Sequence, residues 1–519
     1  MSLTSWKKSH VGMSTTKQIT TMSRTMSGGT CNTSRVLRYD FFNRCFVVDV
    51  SQVDEAGKES SNILEKRMAA VLGNNVSQTL DKYQNIEDFS LILKLYPMGS
   101  FSPEFTQLFE DALLRFLSLS DRKFDLQDLT YLFHLISGTK RRPIKVMKKI
   151  SDLIVHDQVT NERTSYNRSK LKQEYIALMI SAMSKTMFLD APLLQKLCDI
   201  LTAEGYKLRE VRKNPMTSLL IALGQMRFKH TPLMDTITAM AASLGGTRTP
   251  FNPNELMALV NTLARLNYRP PDFGNICVKH IIPNVGLDVI PEQACIDFVW
   301  SLSFFNLLDH HILGYLLNPN DRILRSIRSR IAARDNSVWS DVSKLMNIRA
   351  VAVHEMGLRC PEIVLPVDKI DKPARSNDCT AFATTVIDTL NLFIPKDSHM
   401  QTGVMSELGF EIDARFCINA SLRSLSLDQV KNMRAKGDSS DSLPDGYYTV
   451  NVLTSSFKTT LLNAGNEITG QLELQRRLIK NILKQPVLVV GTLNLMSKSD
   501  AVARVNYLQE LIRDALVQL

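Results

Sequence analysis

Four stretches decide the fold: SAMSKTMFLDAPLL (181–194), IALGQMRFKHTPLM (221–234), TLARLNYRPPDFG (262–274) and SLSFFNLLDHHIL (301–313). They share one core position, Met183, Leu223, Leu263 and Leu302, at spacings of 40, 40 and 39 residues. Each begins as an apolar helix and carries an aromatic residue or Leu five positions past that anchor: Phe188, Phe228, Tyr268 or Leu307. A turn rich in Pro or His follows, and then a second helix. Pro192 and Pro232 occupy equivalent places suited to the first turn of that helix, where a missing N–H costs nothing. Weaker copies stand at LTYLFHLISGTKRRPIKVM (129–147) and FSLILKLYPMGSFSPEF (89–105). A period near 40 with two helices per unit predicts a mainly α chain, an α-solenoid of helical-hairpin repeats over about 85–318. In such an array each pair buries its apolar face on the next. The competing reading is an irregular helical bundle.

Past residue 340 the pattern changes. KLMNIRAVAVHEMGLRCPEIVLP (344–366) is Leu- and Met-rich and helical, a loop of Asp, Lys and Pro follows, and Phe382–Leu392 is a further helix. ELGFEIDARFCINA (407–420) reads as a turn feeding a strand, and KGDSSDSLPDG (436–446) as an exposed linker. From Tyr447 the order becomes β-α-β-α. YYTVNVLTSSF alternates like a strand, NEITGQLELQRRLIKNILK is an amphipathic helix, PVLVVGTLNL a buried strand and KSDAVARVNYLQELIRDAL a closing helix. This is a small α/β module behind the helical array.

Composition narrows the partners. Of 519 residues, 62 are Lys or Arg and 52 Asp or Glu, a formal charge of +10. An apolar content of 44% excludes wholesale disorder, and no apolar run is long enough for a transmembrane helix. Much of the charge is local. The first 39 residues hold Lys7, Lys8, Lys17, Arg24, Arg35 and Arg38, no acid before Asp40, and 15 Ser or Thr. A basic, hydroxyl-rich, acid-free stretch without an apolar core suits import across a membrane that is negative inside, so residues 1–45 read as a mitochondrial transit peptide. The rest of the chain then carries only about +4, which makes total charge a weak argument for nucleic acid. The eight cysteines lie far apart among apolar neighbours, as core thiols do, and no spacing matches a metal site; no metal or cofactor is expected.

Two basic clusters are better signals. Lys140, Arg141, Arg142, Lys145, Lys148 and Lys149 contribute six charges without an acid, the last three on one helical face. In NDRILRSIRSRIAARD (320–335), Ile323, Ile327 and Ile331 form a core stripe, with Arg322, Arg325, Arg328, Arg330 and Arg334 mostly off it. Guanidinium planes stack on unpaired bases and pair with phosphates, the chemistry of single-stranded RNA recognition. The plainer alternative for each cluster is a solvated helix face.

At this point the chain resembles a family. NELMALVNTLARLNYRPPDFGNICVKHI (254–281) looks like the leucine-rich unit of the FAST kinase domain-containing proteins, here about 252–325. KLMNIRAVAVHEMGLRCPEIVLP with ELGFEIDARFCINA looks like their second unit, 319–435. Residues 447–516 are similar to their terminal RAP domain, whose helix carries a Leu-Lys-Arg-Arg-like run, here Leu474, Gln475, Arg476, Arg477, Leu478. The three motifs stand in the family's order over roughly 250–516, preceded by the leader, by a linker with the first helices (46–84) and by the array. The resemblance implies a protein of the mitochondrial matrix that binds single-stranded mitochondrial RNA and acts on transcript processing, stability or translation. Other RNA-processing or ribosomal proteins would be its partners. It adds Arg476 and Arg477 to the candidate RNA contacts.

The resemblance also implies a restriction-endonuclease-like fold for the module, since RAP domains resemble very-short-patch-repair nucleases, whose clustered carboxylates hold a metal. Asp413 stands where the family has Asp in Gly-Phe-x-Ile-Asp-x-Glu, but Arg415 replaces the Glu, and the first module strand ends Leu453-Thr454-Ser455 without an acid. Asp413 thus reads as vestigial and no catalytic residue is assigned. Asp272-Phe273-Gly274 spells the kinase magnesium tripeptide, yet no phosphate loop or catalytic loop precedes it, so the match is coincidental. The remaining readings are an armadillo-type scaffold for protein partners and a metal-dependent ribonuclease.

Overall fold

The computed structural model describes residues 103–118, 124–138, 142–156, 159–160, 166–203, 215–242, 251–318, 322–360, 370, 376–436, 443–463, 465 and 467–517. The candidate leader 1–45, the segment 46–84, the repeat copy at 89–105 apart from its end, and Lys140 and Arg141 lie outside them. The chain divides into two compact units, Met1–Leu119 and Ser120–Leu519. In the first, α1 (Pro103–Leu117) is an amphipathic helix whose Phe109, Leu113, Phe116 and Leu117 are buried.

The second unit is mostly helical. Helices α2 (Leu126–Ser137) and α3 (Ile144–Val155), α4 (Tyr166–Thr186) and α5 (Ala191–Ala203), and α6 (Pro215–Met226) and α7 (Thr231–Ala241) follow as pairs. Helix α8 (Pro253–Arg265) pairs with an irregular helix made of α9 (Phe273–Ile276), a π-turn (Cys277–Ile281) and α10 (Ile282–Val285). Next come α11 (Glu292–Phe304) with α12 (His310–Leu317), then α13 (Arg322–Ala332) and α14 (Val338–Ala350), the last prolonged by a π-turn (Val351–Glu355). The first helices of the pairs, with α14 at the end, form one row, α2 on α4, α4 on α6, α6 on α8, α8 on α11 and α11 on α14. The second helices form another, α3 on α5, α5 on α7 and α7 on α9. A short parallel bridge joins Phe124–Asp125 (β1) to Val159–Thr160 (β2).

The repeat is visible atom by atom in its turns. Met183, Leu223, Leu263 and Leu302 are fully buried. The carbonyl of each accepts the amide of the residue five further on: Phe188 at 2.9 Å, Phe228 at 3.0 Å, Tyr268 at 3.0 Å and Leu307 at 3.2 Å. Just before each donor stands a left-handed residue, Met187, Arg227, Asn267 or Asn306, with φ between 50° and 56°. This is the Schellman ending, which satisfies helix carbonyls that have no partner within the helix. None of these four residues is glycine, so the surroundings hold a backbone conformation that L side chains rarely adopt. Two residues past three of the four aromatic or Leu positions the next helix is capped: Asp190 accepts the Leu193 amide, His230 that of Leu233 and Asp309 that of Ile312, while Pro270 stands at the fourth.

The chain ends in a mixed sheet. Strands β3 (Met400–Met405), β4 (Glu411–Asn419), β6 (Tyr447–Ser455) and β7 (Val487–Gly491) lie in that order, with the short β5 (Ser424–Leu425) beside β4. β3–β4 and β4–β6 are antiparallel. β6 and β7 are parallel, as a strand–helix–strand crossover through α18 (Gly470–Ile482) requires. The sheet therefore draws in residues 400–425, upstream of the Tyr447 boundary and across the 436–446 stretch. On one face, Ala414, Phe416, Ile418, Val450, Val452, Leu488 and Val490 bury themselves against α15 (Asn377–Asn391) and α20 (Ala501–Val517). Helix α16 (Lys396–His399), α17 (Leu427–Lys436) and α19 (Thr492–Met496) complete the module. α18 packs on β6 and β7 and also against α8 and the π-turn after α14, which joins the module to the helical rows.

Candidate nucleic-acid interface

The basic clusters found in the sequence are partly engaged within the fold: Lys148, Arg322 and Arg330 meet acids, whereas Lys145 and Lys149 do not among the described residues. Arg142, just before α3, and Lys145 on it are exposed, and Lys149 is half-buried. Lys148 reaches Asp190 at 3.1 Å and Asp152 at 3.3 Å. Its hydrogen bond to Asp190 raises the ammonium pKa. Burial works to raise the Asp190 pKa, but the Ser151 hydroxyl, the Leu193 amide and Lys148 outweigh it and hold the carboxyl below its usual range. Lys148 thus helps fasten α3 to the cap of α5.

On α13 the expected stripe is present: Ile323, Ile327 and Ile331 are buried. Arg322 pairs with Glu292 at 2.9 Å. Arg325 is exposed and Arg328 half-buried, and Arg334 takes the left-handed position that ends the helix. Arg330 departs most from the expected role. Its guanidinium bonds Asp335 at 2.9 Å, Asp341 at 2.6 Å and the Ser337 hydroxyl at 2.9 Å. The Asp341 side chain is 1% exposed, so Arg330 neutralises a buried charge and welds α13 to α14. The hydrogen bonds from Ser337 and Arg330 in turn bring the Asp335 carboxyl down to about 2.

Arg477 is likewise spent on the fold. It donates to the carbonyls of Phe304 (2.8 Å) and Ser303 (3.0 Å) at the end of α11, and pairs with the buried Glu355 at 3.1 Å. It is an inter-element clamp, capping α11 from α18, because an arginine fork can serve several acceptors at once. Its neighbour Arg476 makes a two-pronged pair with Glu473, at 2.6 and 2.8 Å, within the same helix. Asp413, 5% exposed, accepts the Thr454 amide at 2.7 Å and so ties β4 to β6. Arg415 lies across from Asn451 and donates to it at 2.8 Å. Among the described residues no group of three or more His, Cys, Asp or Glu could hold a metal ion, and no helix is long and apolar enough to cross a membrane. Asp272 stands in left-handed backbone just before the short α9 turn, and its side chain makes no cap hydrogen bond there.

A different set of side chains shares a groove of ≈1160 Å³. Its floor is the first-helix row: Ser218, Ile221 and Gln225 from α6, Asn261 and Arg265 from α8, Asp297 and Trp300 from α11, and Trp339, Lys344 and Asn347 from α14. Arg227, in the turn after α6, joins them. The module supplies one rim through Lys458, Thr459, Thr469 and Gln471. That volume exceeds the roughly 300–1,000 Å³ of small-molecule sites. Four cations face one carboxylate. Lys344 pairs with Asp297 at 2.6 Å and lies 5.8 Å from the centre of the Trp300 ring, while the Trp300 indole donates to Asn347 at 3.2 Å. The aromatic plane is therefore fixed in orientation. The Asn261 side-chain oxygen is buried without a hydrogen-bond partner among the described residues.

None of these groove residues belongs to a basic run in the sequence. The repeat register was the available signal: two positions before the anchor stand Ile221, Asn261 and Trp300, and two after it Gln225 and Arg265. Those positions face away from the pair's own core, so a stacked row must present them together. Lys458 and the α14 residues have no such register and come in through tertiary packing alone.

No family model matches the chain, and no curated protein matches it either.

Proposed function

We propose that this chain is a single-stranded RNA-binding protein of the mitochondrial matrix, an α-solenoid closed by a RAP-type module, acting on the processing, stability or translation of mitochondrial transcripts. The observation that carries the reading is the groove. Stacked helices bring cations, side-chain amides and an oriented tryptophan onto one elongated surface. Those are the groups that hold phosphates and stack or hydrogen-bond splayed bases, and a polymer can thread a groove that is open to solvent. The resemblance to the FAST kinase domain-containing proteins and the basic, acid-free leader support the compartment and the substrate.

The test is crosslinking the full chain to RNA in cells and sequencing what is attached, with fractionation of the same cells. Recovery of mitochondrial transcripts from the mitochondrial fraction is expected. Attached RNA at background level, with protein partners recovered instead, would establish the scaffold reading in its place.

A further inference from the structure

The two rims of the groove meet at a point where positive charge has no visible counterpart. Arg227 occupies the left-handed turn position with φ 56°. Its side chain donates to the Thr460 carbonyl at 2.9 Å, and its own carbonyl accepts the Leu462 amide at 2.9 Å. It therefore fastens the loop after β6 onto the end of α6. Arg227 and Arg265 line the same groove, neither is paired with a carboxylate among the described residues, and burial with the positive charge of Arg265 lowers the Arg227 pKa. Arg265 is exposed at the last turn of α8, its stem crossing Gly224. Lys458 is exposed on the opposite rim, beside Phe457, which is 61% exposed. No carboxylate is paired with Arg265 or Lys458 among the described residues, although lysines and arginines elsewhere in the unit have found acids.

We propose that Arg265 and Lys458 form a phosphodiester-binding subsite shared between the helical rows and the C-terminal module, with Arg227 positioning the two sides. The inference rests on the RNA reading and sharpens it: the module is half of the site. An anion here relieves like-charge repulsion in a half-buried setting, where it counts for more than in water. The neighbouring Asn261 oxygen, buried and unpaired, is an acceptor on the same groove. The exposed Phe457 ring beside Lys458 can stack on a base, which favours a nucleic-acid phosphate over an acidic peptide.

The experiment measures binding of a short labelled single-stranded RNA of mixed sequence to the full chain across a salt series. It compares the wild type, Arg265→Gln/Lys458→Gln, and Lys145→Gln/Lys149→Gln. Each phosphate contact to a single strand contributes about 0.7 to the logarithmic salt slope. The Arg265/Lys458 variant should lose about 1.4 from the slope and bind roughly tenfold more weakly at moderate salt, with a melting temperature unchanged or slightly raised, since both side chains are exposed and Arg265→Gln removes a like charge beside Arg227. The Lys145/Lys149 variant also removes two cations without acid partners, but from outside the groove lining, and should keep affinity and slope; an equal loss there would mean bulk charge and overturn the subsite. If the wild type binds and the Arg265/Lys458 variant matches it in both measures, the subsite is wrong while the RNA reading stands. If the wild type does not bind RNA, both fall. Equal wild-type affinity for an uncharged methylphosphonate strand, or preference for a glutamate-rich peptide, would also overturn the subsite.

Discussion

Two sets of cations in this molecule come together by different routes. Those that cluster in sequence, on α3 and α13, include Lys148 and Arg330, which point at Asp190, Asp152, Asp335 and Asp341. Those that gather in space, Arg227, Arg265, Lys344 and Lys458, come from four separate elements, and only Lys344 is paired with an acid across the groove floor. A run of like charges along a helix is costly unless neighbours neutralise it, and acids meet Lys148, Arg322 and Arg330, leaving Lys145 and Lys149 as the exceptions. Charges that meet only after folding carry no such local requirement. Lys148 and Arg330 thus help build the fold from within their sequence clusters, whereas the spatial set holds three cations, Arg227, Arg265 and Lys458, with no acid partner among the described residues, which is what the proposed subsite needs.

The largest effect that would break this comparison lies at the seam bearing the groove's second rim. A Cβ on Gly470 would stand 1.8 Å from the Ala264 carbonyl oxygen, a backbone atom that cannot step aside. Gly470→Ala should therefore cost about 3 kcal/mol or more. It should also separate the melting of the module from that of the helical rows in calorimetry. A single unshifted transition would mean that α18 docks differently.

Arg330→Met comes next. It leaves Asp341, 1% exposed, without its cation; breaking a buried pair costs about 3–5 kcal/mol, and the partial exposure of Arg330 lowers the expectation to about 2–3 kcal/mol. The loss should show in denaturant melts while the RNA salt slope stays as in wild type. A changed slope at unchanged stability would restore Arg330 to the ligand-binding set.

Asp190→Ala should cost about 2 kcal/mol, since it removes a helix cap and leaves the buried Ser151 hydroxyl without its acceptor. The pH dependence has a definite sign. The folded pKa of Asp190 lies below its unfolded value, so its contribution is complete above about pH 4 and is lost as pH falls through the folded pKa. Asp335, held at about 2, acts in the same direction over the same acid range. Acid melts of the Asp190 variant should flatten relative to wild type below about pH 4 and run parallel to it above. Parallel curves throughout would show that the carboxylate titrates alike in both states.

The fold was more legible in the sequence than the site was, for a physical reason. Helix pairs announce themselves through local periodicity, and the 40-residue register predicted the position of each Schellman donor from Phe188 to Leu307. The β-α-β order after Tyr447 was equally local, because β6, α18 and β7 follow one another in the chain. What escaped were long-range couplings: β4 joining β6 across the 436–446 stretch, and Arg477 reaching back to Ser303 and Phe304. An arginine suited to RNA and an arginine suited to capping a distant helix look the same in one dimension. Arg265 and Lys458, 193 positions apart, could be joined only by folding.

The smallest effect is also the sharpest control on the comparison. Lys145 is exposed and Lys149 half-buried on α3, and neither has the acid partner that Lys148 has among the described residues. Lys145→Gln/Lys149→Gln removes two like charges from one helical face at no cost in burial, so stability should move by less than about 0.5 kcal/mol, toward stabilisation if at all. Thermal melts at low and high salt check this. Relief of repulsion predicts that any gain shrinks as salt screens the face. A loss of stability instead would show that these lysines, like Lys148, are held by the fold, and sequence-clustered charge would then be structural along the whole helix.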